Sequence, residues 1–139
     1  MASYSSTEQA LIDAGTPKLV DYIKTGGRPL KAVTIKATHP TGFAQDEIVT
    51  VWTPPKGWKW AGGLMGHDAN GASITCVVGI TGDTNKFMVS KDVSAAGDQV
   101  MANPDGIDYE FDGSTAIIAT FGGGNPTDGA DQAFTLFFT

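Results

Sequence analysis

The stretch "IDYEFDGSTAIIATF", residues 107–121, can be read in two incompatible ways. Asp108, Glu110, Asp112 and Gly113 stand at positions one, three, five and six of the calcium-loop pattern D-x-[DN]-x-[DN]-G. A helix–loop–helix calcium site also needs a bidentate glutamate at position twelve and helices on both sides. Position twelve is Ala119, and the flanks alternate or run apolar as strands do. Ile107, Tyr109 and Phe111 fall on one face of an extended chain, Asp108 and Glu110 on the other. The carboxylates are two apart because the wet face of a strand repeats every two residues. Asp112-Gly113 then reads as a hairpin turn, and "STAIIATF" as the next strand. This predicts an all-β chain without a metal site.

Working outward, the same period of two recurs. "KAVTIKAT" puts Val33, Ile35 and Ala37 on one face, with Lys31, Thr34 and Lys36 mostly on the other. "EIVTVWT", residues 47–53, is apolar on nearly both faces and predicts a central or covered strand, ended by Pro54 and Pro55. "GWKWAGGLMG" alternates Trp58, Trp60, Gly62 and Leu64, and Asn70-Gly71 offers a hairpin dipeptide. "SITCVVGI" predicts a strong strand, "TGDTN" a turn, and "KFMVSKDVS" one or two short strands. "AAGDQVMANPDG" reads as irregular, "GGGNPTDGAD" as a long turn. "QAFTLFFT" closes the chain as a strand, with Phe134, Leu136 and Phe138 on one face and Phe137 on the other. Glycine and proline, 18 and 7 of 139 residues, punctuate the chain about every ten residues, the rhythm of a sandwich or barrel. The expectation is a β-sandwich with jelly-roll-like topology over residues 30–139, with an up-and-down barrel as the alternative.

Residues 1–29 read differently. Ser6 can cap a first short helix ended by Gly15; Thr16 and Pro17 can start a second, ended by Gly26. Each spans about two turns, too short to be stable alone. The segment is therefore expected to be an arm with short helical segments that docks on another surface. Its apolar side chains Leu11, Ile12, Leu19, Val20, Tyr22 and Ile23 are candidate protein contacts. So are Trp58 and Trp60 of the "VWTPPKGWKW" cluster, and Phe137, which an edge strand facing water would not normally carry.

Composition narrows the function. A net charge of -6 with nine scattered Lys and Arg argues against nucleic-acid binding. The first ten residues have neither a basic start nor a long apolar run, so neither a signal peptide nor a membrane anchor is expected. The chain is expected to be made in a cytoplasm. Cys76 is the single cysteine, in an apolar run with nothing basic beside it, and reads as a buried hydrophobe. "FGGGNP" lacks the lysine and following helix of a phosphate loop. His39 and His67 lack zinc-ligand partners, and no G-x-S-x-G elbow is present. No cofactor is expected, and no enzyme. A carbohydrate-binding module using Trp52, Trp58 and Trp60 is the alternative of a different class.

The second half resembles a known family. "VVGITGDTNKFMVSKDVSAAG" and "GIDYEFDGSTAIIATFGGGNPTDGADQAFTLFFT" resemble the capsid decoration, or cement, proteins of tailed bacteriophages. The likeness lies in an apolar strand ending in G-x-T-G-D, a D-V-S-x-A-G step, the strand "TAIIATF", a glycine-rich turn and a closing apolar strand. It covers roughly residues 74–139. The resemblance implies a β-sandwich on the outer surface of an icosahedral head, often a homotrimer. It implies the major capsid protein as partner, a clamping and stabilising role, and a virion location. A phage tail or fibre component with a similar sandwich is the nearest alternative.

Overall fold

The computed structural model describes residues 30–139, and Lys31–Phe138 form one compact unit. The expected helices and Leu11, Ile12, Leu19, Val20, Tyr22 and Ile23 lie outside the described residues. Eight strands run in the order β1 (Lys31–Thr38), β2 (Ile48–Trp52), β3 (Trp60–His67), β4 (Thr75–Ile80), β5 (Asp83–Asp92), β6 (Gly97–Met101), β7 (Ile117–Gly122) and β8 (Asp131–Phe138). A short 3-10 turn, Pro104–Gly106, follows β6. β1 pairs β8, β2 pairs β7, β3 pairs β6 and β4 pairs β5, all antiparallel. That is one long hairpin rolled up. The rolling adds the pairs β3–β8 and β4–β7, giving two four-stranded sheets of order β1-β8-β3-β6 and β2-β7-β4-β5. This is the double-sheet jelly roll.

Alternation builds the core. β8 shows strict alternation, and Phe134, Leu136 and Phe138 are fully enclosed. Trp60, Met65 and Met101 join them from the first sheet; Cys76, Val78, Phe87, Ile117, Ala119 and Phe121 oppose them from the second. β1 turns Val33, Ile35 and Ala37 inward as expected, but Lys31 shares their face, with its ammonium 5.1 Å from the Trp58 ring centroid. The long stem covers the indole while the charge stays in water.

Several expectations are corrected. "EIVTVWT" forms an edge strand, β2, and Ile48 is 53% exposed. β8, expected at an edge, is internal, between β1 and β3. In β3 the register slips between Trp60 and Gly62, where Gly62 has φ 126°. The extra residue shifts the phase, so Leu64 points to solvent while Gly63 and Met65 point inward. Asn70-Gly71 joins no hairpin, because β3 and β4 lie in different sheets. The real two-residue hairpin is Thr81-Gly82, with Gly82 at φ 90°. The "irregular" segment contains β6, whereas residues 107–111 make only an isolated bridge, Lys59 to Glu110. Asp108 takes a left-handed φ of 67°, which breaks the alternation, and Ile107 is 41% exposed rather than inward.

Candidate interaction surface

The tryptophans are mostly core. Trp60 is completely enclosed, 4.4 Å from the Phe87 ring and 5.7 Å from Phe138 between centroids. It has no surface to offer a partner, which corrects the expectation that it lies at an interface. Trp58 and Trp52 are half-buried, 5.8 Å apart, and both pack on Phe138. The three indoles therefore ring one phenylalanine and do not form an open stacking platform, so the carbohydrate reading loses its binding surface. Phe137 is half-buried on the outer face of the first sheet, in register with Ala32 and Gly62.

Of the carboxylates in the calcium-like pattern, Asp112 serves the chain's own turn; outside that pattern, Asp128 and Asp83 are likewise held by near neighbours. Asp112 Oδ1 accepts from the Ser114 and Thr115 amides, and Oδ2 from the Thr115 hydroxyl. Those bonds, the Ser114 amide foremost, hold its carboxyl down at about 2. Asp128 accepts from the Gly42 amide. Asp83 meets Lys86 at 3.6 Å. Among the described residues no group of three His, Cys, Asp or Glu side chains converges on a common point for a metal.

Both histidines are buried polar partners. His39 Nε2 lies 2.7 Å from Asn70 Oδ1, which also accepts from Gln132 Nε2, and Asn70 Nδ2 donates to the Asp68 carbonyl. The ring stacks on Phe43 and meets Phe121 edge-on. Burial pulls the His39 pKa below its ordinary value, against the opposing effect of the Asn70 bond. His67 uses Nδ1 on the Asp68 carbonyl and Nε2 beside Gln99. Cys76 is fully enclosed and its thiol is pushed up to about 12 by desolvation. Such a thiol is inert at neutral pH. In "FGGGNP", a Cβ on Gly123 would sit 2.0 Å from the Ser73 carbonyl oxygen, so the glycines permit close packing of two loops.

What the described surface does offer is the outer face of the first sheet. Cross-strand register arranges it in rows. One row runs Lys36, Ala133, Gly66, Asp98; the next runs Thr34, Thr135, Leu64, Val100. Leu64 is 48% and Val100 58% exposed. Over the first row lies an open depression of about 730 Å³, floored by Gly66, Gly97 and Ala133 and rimmed by Lys36, Asp68, Asp98 and Asp131. The sequence pattern shows neither feature, because simple alternation puts Leu64 on the same face as Trp60 and the segment that forms β6 reads as irregular.

No family model matches the chain, and no curated protein matches it in sequence. Solved structures do match in fold. A chain in the capsid of Ralstonia phage GP4 aligns with a TM-score of 0.69 at 16% identity, covering 80% of this chain and 84% of that one. A chain of the Cyanophage Pam1 capsid asymmetric unit gives 0.62 at 17% identity, over 78% and 84%. One in the acid-stable capsid of Helicobacter pylori bacteriophage KHP30 gives 0.55 at 16%, over 80% and 94%. At these identities the likeness is one of fold.

Proposed function

We infer that the chain is a virion structural protein of a bacteriophage, a decoration or cement protein on the outer surface of the head that clamps neighbouring subunits of the major capsid protein. The observation that supports this most is the fold likeness to chains of three phage capsids over about four fifths of its length. The described residues add support from chemistry. The single thiol is enclosed, the histidines are occupied by neighbours, and Asp112 serves its own turn. The job that remains is binding other protein.

The mechanism is additive burial. Each contact removes apolar area worth about 25 cal/mol per Å² before association costs. A repeated shell multiplies such contacts, and association of the chain with itself, as a trimer, adds avidity. Residues 1–29 are the proposed capsid-contacting arm, with Leu11, Ile12, Leu19, Val20, Tyr22 and Ile23 as its apolar anchors, assisted by the exposed parts of Trp58 and Phe137.

Pelleting with heads that lack this protein tests the reading. The full chain is expected to co-sediment saturably and as a three-chain species by light scattering. A chain lacking residues 1–27 is expected to keep its β spectrum and stay in the supernatant. Equal decoration by the truncated chain would remove the arm from the account, and no sedimentation of the full chain would remove the capsid role.

A further inference from the structure

The four sheet edges are not equally protected. β1 carries Lys31 and Lys36. β2 has a register shift after Thr50 and runs into Pro54 and Pro55. β5 carries Lys86 and Lys91 and two register shifts. These are the usual devices that stop a sheet from recruiting another strand. β6, Gly97–Met101, has no lysine, proline or shift, and among the described residues it pairs on one side only, with β3. Its exposed Val100 stands beside the exposed Leu64, so the open edge has an apolar shoulder.

Charge selects what fits there. A strand added to β6 would continue the rows of the outer face. One of its residues would lie beside Val100, with Leu64 one strand further on in the same row, and the residue two positions away beside Asp98. The row through Asp98 passes over Gly66 and Ala133, whose lack of bulk makes the floor of the depression. Three carboxylates, Asp68, Asp98 and Asp131, rim it against one ammonium, Lys36. A long cationic side chain beside Asp98 can lie along this floor. A second copy of this chain answers the apolar shoulder but brings only Gly97, Asp98, Gln99, Val100 and Met101 from its own β6, with no cation for the depression.

We propose that the β6 edge, with Leu64, Val100 and the Asp98-rimmed depression, is a docking site for an extended segment of a protein partner that pairs as a fifth strand and carries an apolar residue and an arginine or lysine two positions apart. The inference rests on the virion reading only for who the partner is; the docking chemistry stands on the sheet edge itself.

The test needs no heads, so its failure and the failure of the capsid role are separate results. The isotope-labelled full chain is titrated by NMR with a synthetic ten-residue peptide that alternates threonine with valine or arginine, so that valine and arginine fall two apart. Saturable shifts are expected at the amides of residues 97–101 and at the Leu64 and Val100 methyls. A peptide with glutamate in place of arginine is expected to bind at least about tenfold more weakly, as is the Asp98→Lys variant toward the arginine peptide. Glu110→Lys, at an exposed carboxylate outside β6 and the depression, is the charge-matched control and is expected to leave binding unchanged. Shifts centred elsewhere, equal binding of the two peptides, or no saturable shift would overturn the proposal. So would concentration-dependent broadening of residues 97–101 without peptide, which would make a second copy the occupant.

Discussion

Trp60 carries the largest enclosed side chain of the described residues, and its indole nitrogen has no hydrogen-bond partner there. Apolar packing on Phe87 and Phe138 outweighs that unmet donor. Truncation by Trp60→Ala is expected to cost about 3–5 kcal/mol in chemical denaturation. Trp60→Phe is expected to cost clearly less, since it also removes the orphan donor. Two titrating residues make separate predictions. His39 is held neutral by burial, so its folded pKa lies below the unfolded value. The stability tied to it is complete above about pH 6.5 and is lost as pH falls below that, with a slope no steeper than about 1.4 kcal/mol per pH unit for one proton. His39→Gln is expected to remove this slope in denaturation series between pH 7 and 5; an unchanged slope would assign it to another group. Asp112 shows the carboxylate case. Its folded value near 2 lies below the usual 3.8, so its turn is held above about pH 4 and loosens as pH falls toward 2. NMR titration of the Ser114 and Thr115 amides is expected to give a midpoint near 2.

Strands with strict alternation and a strong apolar face could be read directly. β1, β4, β7 and β8 appear where "KAVTIKAT", "SITCVVGI", "STAIIATF" and "QAFTLFFT" place them. Reading failed where backbone conformation, not side-chain type, decides the outcome. Asp108 at φ 67° turns an alternating pentapeptide into a loop, and β6 hides in turn-rich sequence because its partner β3 supplies the order. Edge and centre were exchanged for β2 and β8 because hydrophobicity reports burial but not the neighbour across the sheet. The candidate surface was the least legible part. Leu64 is outward only because Ala61 is an extra residue in β3. Deleting Ala61 is therefore expected to leave a regular β3 in the same register against β8. Deleting Leu64 would turn Met65 outward and is expected to abolish cooperative unfolding. Circular dichroism melts of the two deletions separate these outcomes; equal tolerance would contradict the bulge.

At the scale of the molecule, the rolled hairpin encloses one aromatic and aliphatic core and commits His39, Asn70 and Asp112 to structure. Its open resources are outward: an unguarded sheet edge, an apolar shoulder and a shallow acidic depression. Under the proposed function a molecule arranged this way acts by adhering to other protein; the likeness to phage capsid chains is one of fold. Cryo-electron microscopy of heads prepared without this protein, compared with the same heads after incubation with it, tests the claim most directly. The account predicts added density outside the shell that fits a jelly roll and touches more than one capsid subunit. Heads unchanged by incubation, or density confined to the interior or the tail, would contradict it.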